Sequence, residues 1–197
     1  DWREASAGLE LPADFDPPAA CLVLAKRYDD GWKALRLGDS CLLARGRYGA
    51  LTTALPENGF DSWLAAEARK RRDAGVPDIK ALLAEFRPQL LAARAKRNRA
   101  DGYGILEAAP VATGFAQYLE LGAPDALLLC TDGFYRAVDY YRLCDNRGLI
   151  DACGEKGGVN SMLEALRHVE KQDELCQSFP RFKPADDATA VMLGSPS

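Results

Sequence analysis

Residues 125–137 read DALLLCTDGFYRA: five apolar residues in a row, a threonine, then an acid and a glycine. A short continuous apolar run bounded by turn residues predicts a fully buried strand in the core of a sheet. Asp-Gly is a common turn, so the plain reading is that the strand simply ends there. Yet a carboxylate set against a core edge is expensive unless something positive compensates it. The arrangement returns in KPADDATAVML, residues 183–193, where Asp186 and Asp187 immediately precede another apolar strand. A third acid, Asp39 in LGDSCLL (37–43), interrupts an apolar strand directly after a glycine, which lets the backbone bend or approach closely. No Arg or Lys lies beside Asp39 or Asp132 ahead of Arg136, and the chain has one histidine. Oxygen donors without His or Cys suit Mg²⁺ or Mn²⁺ rather than Zn²⁺.

Outward from these acids the chain falls into three zones. Over about residues 18–46, AACLVLAKRY, a DDG turn and WKALRLGDSCLLARG predict a hairpin. The middle, about 55–100, reads as helical. Within it Ile79, Leu82, Leu83, Phe86 and Leu90 form one apolar stripe, with Asp78 as N-cap. Pro88 falls inside that pattern and predicts a kink or break near Arg87. From 101 to 197, GYGILEA, DALLLC and ATAVML read as strands, and FYRAVDYYRL and SMLEALRHVEKQDEL as helices. Ser161 with Glu164 makes a capping box for the longer helix. Hairpin-paired strands and separate helical runs point to antiparallel sheet layers covered by helices, an α+β fold.

Composition bounds the rest. The 197 residues are 48% hydrophobic and 27% charged, as expected of one globular domain, here 1–197 with a helical insertion at about 55–100. A chain of this size buries about 70% of its unfolded surface. The net charge of −4 argues against a nucleic-acid or anionic-membrane surface. No apolar run approaches the roughly 18 residues of a membrane-spanning helix, and no basic-then-apolar leader marks the chain for secretion. Six scattered cysteines, with no CxxC pair, favour a reducing cytoplasm. The basic runs EARKRRD (67–73) and RAKRNR (94–99) lack interleaved aromatics and read as solvated helix faces. Trp32 and Trp63 read as packing residues, DYYRL as an amphipathic turn over the sheet, and His168 as a partly exposed helix residue.

ALRLGDSCLLARG, GYGILEAAP, DALLLCTDGFYRAVD and DDATAVML occur in that order. Together they resemble the metal-dependent serine/threonine phosphatases of the protein phosphatase 2C family, with a bacterial cast to the Ala- and Arg-rich composition. The matching elements are a Gly-Asp-Ser strand motif, a Gly-Tyr-x-hydrophobic strand, a strand-Ser/Thr-Asp-Gly-aromatic motif and a closing Asp-Asx-x-Thr strand. They span roughly residues 18–50 and 101–193. The resemblance implies a two-layer antiparallel β-sandwich flanked by helices, with a two-metal centre at one end. Asp132 and Asp186 match metal ligands. Asp39 matches an acid that in some members helps hold a further, weaker metal. Asp187 stands where the family usually has Asn, Thr189 is structural, and the helical zone matches a flap near the substrate. The implied cofactors are two Mn²⁺ or Mg²⁺ ions, and the implied reaction is phosphoprotein hydrolysis by a hydroxide bridging them. The partners are then a phosphoprotein substrate and a cognate Ser/Thr kinase in cytoplasmic signalling, with neither nucleic acid nor membrane.

Two departures accompany the resemblance. The family supplies further ligands from an N-terminal Asp-Gly motif, with an upstream arginine for the phosphate, whereas DWREASAGLELPADFDPP has no Asp-Gly. The expectation is therefore either the C-terminal part of a longer enzyme or a catalytically silent binding or regulatory module. Arg136 also stands where many members carry another acid for the third metal. It reads as a solvated helix residue, or as a partner for Asp132 or for phosphate.

Overall fold

The computed structural model describes residues 18–56, 59–75, 79–107 and 113–194. Asp78 and all of residues 1–17 lie outside the described residues. The fold is α+β, with antiparallel sheets and helices. One sheet has the order β2 (Leu22–Tyr28), β3 (Gly31–Leu37), β7 (Gln117–Gly122). The other has the order β5 (Leu51–Ala54), β4 (Cys41–Gly46), β8 (Pro124–Cys130), β9 (Ala190–Gly194). A two-residue ladder joins β1 (Ala19–Ala20) to β6 (Leu106–Glu107).

Strand alternation explains why β4 and β8 read as unbroken apolar runs. Cys41, Leu43, Ala126, Leu128 and Cys130 point to one side, where they meet Phe134, Leu149, Ile150 and Leu166 of the helices. Leu42, Ala44 and Leu127 point to the other, where Val23, Ala25, Ala34 and Leu119 of the first sheet close over them. The two sheets therefore share one core and the helices cover the far face of the second. The helical layer is α3 (Asp132–Asp139), α4 (Asn146–Gly154) and α5 (Gly158–Gln172). A hairpin of α1 (Gly59–Asp73) and α2 (Ile79–Arg94) keeps its own small core of Leu64, Leu82 and Phe86, onto which Leu90 and Phe182 pack. All six cysteines are free. No helix among the described residues is long and apolar enough to cross a membrane.

Several expectations change. The predicted strand WKALRLGDSCLLARG is two strands in different sheets, so Asp39 stands at the corner between them. Among the described residues of GYGILEA, only Leu106–Glu107 form a strand. Ahead of it, Asn98 captures the backbone: its Nδ2 donates to the Ile105 carbonyl at 2.9 Å and its Oδ1 accepts from the Ile105 amide at 3.0 Å. Helix α2 runs through Pro88 without interruption. Pro88 lies on the exposed face, where curvature costs least, while Phe86 and Leu90 hold the packed face. Leu83, placed in the apolar stripe, is exposed. Helix α5 begins at Gly158, so Ser161 is not its cap; the Ser161 hydroxyl donates back to the Gly157 carbonyl at 3.3 Å.

Candidate functional site

The register of the second sheet gathers the acids. Cys41 pairs with Cys130, and Cys130 with Ala190. Asp39 lies two residues before Cys41, Asp132 two residues after Cys130, and Asp186 four residues before Ala190. In antiparallel strands these offsets all run off the same end of the sheet. Three acids far apart in sequence thus meet at one rim.

Two residues lock that rim. Thr131, at the N-terminus of α3, leaves the helix uncapped by its side chain. Its hydroxyl instead donates to the Asp187 carbonyl at 3.2 Å and accepts from the Thr189 amide at 3.1 Å. The Thr131 amide donates to the Thr189 carbonyl at 3.0 Å. The two bonds to Thr189 both engage its backbone. Gly133 is required by the neighbouring loop, since a Cβ there would fall 2.2 Å from the Asp187 carbonyl oxygen. The Asp-Gly at 132–133 is therefore no turn: the acid starts a helix and the glycine admits the other acidic segment. Gly38 plays the corresponding part beside Asp39, with φ +82 and its would-be Cβ 2.5 Å from Cys21 Sγ.

Electrostatics separate the three acids. Burial, then the Asp39 and Asp186 charges, push the Asp132 carboxyl up to about 6, against the pull of the Gly133 amide and Arg136. Asp39 faces Cys21, whose thiol is pushed up to about 12 by burial and then by its hydrogen bond with Asp39. Asp186 is the best-compensated. It accepts from the Asp187 amide at 2.8 Å and pairs with Arg136 Nη2 at 3.1 Å and with Lys183 Nζ. Arg167 Nη2 holds its backbone carbonyl at 2.7 Å. Arg136, expected as a solvated helix residue, is instead largely covered, with its guanidinium 5.7 Å above the Tyr140 ring.

The loop that delivers Lys183 and Asp186 is tied by a buried ion pair. Asp173 accepts from the amides of Gln177 (2.8 Å), Ser178 (3.0 Å) and Phe179 (3.0 Å), and from Arg181 Nη1 at 2.6 Å. Arg181, 4% exposed, donates in turn to the carbonyls of Glu170, Asp173, Phe179 and Pro184. Between these anchors Phe182 packs edge-on against Phe86 of α2. The result is a cleft of ≈ 320 Å³ between α1 and α3, lined by Ser62, Asp132, Arg136, Tyr140, Phe182 and Lys183 among others. None of Lys183, Arg167, Arg181 or Asp173 stands out in the sequence. The only signal is the basic RFK immediately ahead of PADDATAV.

Hard oxygen donors at this rim suit a divalent cation in kind, and the repulsion on Asp132 is of the sort such a cation relieves. They fall short in number. Among the described residues no group of three or more His, Cys, Asp or Glu side chains is placed to hold a metal ion. Asp39, Asp132 and Asp186 share the rim without forming such a group, and two cations already sit on Asp186. His168 is exposed on α5, its ring nitrogen 2.9 Å from Gln172 Nε2, away from the acids. Compared with family models, with curated proteins and with solved structures, the chain finds no match.

Proposed function

We propose that this chain carries Asp132 and Asp186 as part of the divalent-metal centre of a metal-dependent phosphoprotein phosphatase, on a sandwich like that of protein phosphatase 2C. One observation supports the reading above the others. The Thr131 lock and Gly133 hold the Asp132 and Asp186 segments together although the core needs no carboxylate there, and burial beside two like charges pushes Asp132 to about 6. Such crowding is costly to the fold and is the pattern of a functional site. Mn²⁺ or Mg²⁺ bound there would supply Lewis acidity and an activated water near neutral pH. The chain's own residues do the positioning. Asp132 offers its carboxylate from the rigid start of α3, and the Arg181 knot fixes the loop that carries Asp186. The substrate on this reading is a phosphorylated Ser or Thr side chain, the partner a cognate kinase, and the setting the cytoplasm.

A second reading, a catalytically silent binding or regulatory module, is favoured by Arg136 and Lys183, which already neutralise Asp186. Manganese calorimetry on the protein expressed from its whole reading frame separates the two. The phosphatase reading expects Mn²⁺ binding that Asp132→Asn abolishes, with Mn²⁺-dependent hydrolysis of a phosphothreonine peptide. No Mn²⁺ binding by the wild type would leave the silent module.

A further inference from the structure

We propose that the cleft beside Asp132 is a phosphoryl-anion site whose ligands are the side chains of Arg136 and Lys183. The phosphatase reading enters only in naming the carrier, a phosphorylated peptide side chain; the anion chemistry rests on the cleft itself. Both side chains line the cleft, and both converge on the single carboxylate of Asp186. Asp132 and Asp139 line the same cleft and offset part of this charge, so what the two cations bring to an anion is their donors rather than a net charge. Shared on one carboxylate, they leave unspent donors, because a guanidinium offers five N–H groups and an ammonium three. The buried cation next to them, Arg181, is by contrast consumed by Asp173 and backbone carbonyls.

The supports of the pair are rigid, which is what makes a charged pair a binding site rather than a solvated patch. Arg136 rises from the buried helix α3 and lies over Tyr140, whose hydroxyl is tied to the Pro180 carbonyl. Lys183 sits between Phe182, wedged on Phe86, and Pro184, whose carbonyl accepts from Arg181 Nε at 3.0 Å. A cleft of ≈ 320 Å³ falls at the small end of ligand sites, about 300–1,000 Å³, enough for one phosphorylated side chain. Arginine matches phosphate oxygens bidentately and lysine serves them as a point charge. Asp132 opposes the anion from the same cleft wall, so its removal should favour binding.

The test is calorimetric titration of the metal-free protein with inorganic phosphate. Wild type should bind saturably. Lys183→Gln and Arg136→Gln should each weaken binding about tenfold, the worth of one charge-assisted hydrogen bond. Asp132→Asn should tighten it severalfold. Arg45→Gln, which removes a cation paired with Asp151 outside the cleft, should leave it unchanged. No saturable binding, or Lys183→Gln within about twofold of wild type, overturns the proposal, and so does equal weakening by Arg45→Gln. Lys183 is a half-exposed loop residue, so its variant tests the site even if Arg136→Gln fails to fold. A phosphothreonine peptide that displaces phosphate supports the peptide carrier, and one that fails to displace it overturns that part. Phosphate binding without Mn²⁺-dependent hydrolysis leaves this site and removes the phosphatase reading. Hydrolysis with phosphate affinity indifferent to both cations does the reverse.

Discussion

At the C-terminal end of α5, Asp173 sits under four donors; at the N-terminal end of α3, Asp132 sits beside two carboxylates. Both carboxyls are drawn out of water, and burial raises each. At Asp173 the Ser178 amide, Arg181 and the Phe179 and Gln177 amides outweigh burial and hold the carboxyl below its usual range. At Asp132 the Asp39 and Asp186 charges add to burial and push the carboxyl up to about 6. The partners, rather than the depth, decide whether a buried acid is a fastening or a strained site. The loop from 173 to 187 runs from the one kind to the other.

The largest way to break this contrast is Arg181→Met, which strips Asp173 of its cation while leaving the carboxylate buried. A loss of about 3–5 kcal/mol in urea unfolding is expected; a loss under about 1 kcal/mol would mean the backbone amides suffice. Next comes Gly133→Ala, which drives a Cβ to 2.2 Å from the Asp187 carbonyl. Forcing the two acidic segments apart should cost about 1–3 kcal/mol, read the same way.

Asp132→Asn should act in the opposite direction. A raised carboxyl takes up a proton more readily in the folded state, so its penalty builds as pH rises from about 4 to about 6 and is complete above that. The variant should therefore gain about 1 kcal/mol at pH 7.5, allowing for solvent screening, and nothing below about pH 4. Asp173→Asn should show the converse. Its lowered carboxyl contributes stability that is present above the unfolded value of 3.8 and is lost as pH falls through the folded one. The variant should be less stable than wild type at pH 7.5, with the gap closing in strong acid. Thermal unfolding across pH checks both signs. The smallest effect belongs to Arg71→Gln, which breaks the exposed Arg71–Glu85 pair between α1 and α2 and should move stability by no more than about 0.5 kcal/mol.

Much of the second sheet was legible because its central strands are buried on both sides and so spell themselves out as CLLA and ALLLC. The gathering of Asp39, Asp132 and Asp186 was expected only through the family resemblance, since the pattern alone read Asp39 as interrupting one strand rather than standing between two sheets. What escaped depends on contacts between distant segments. Nothing local says that Asn98 will hold Ile105, or that Phe86 and Leu90 will carry a helix past Pro88. Helix α4 hides because Gly148 and Gly154 thin its pattern, although Leu149, Ile150 and Cys153 share a buried stripe and Asp145 caps it at 2.7 Å. The β4–β5 pairing was missed because LTTA is short and half polar. The Arg181 knot is illegible for a different reason: most of its partners are backbone carbonyls, which every sequence has.

The pairing of β4 with β8 spans the helical hairpin and β7, so Cys41 must find Cys130 across nearly half the chain. Closing that distance pays loop entropy before any ladder bond repays it, and such pairings form late. The rim of acids exists only once that ladder and β9 are both in place. Any affinity this rim has for a cation or an anion is therefore a property of the finished molecule. A chain arrested before β9 docks, whether emerging during synthesis or trapped in misfolding, would have most of its hydrophobic core and none of its chemistry.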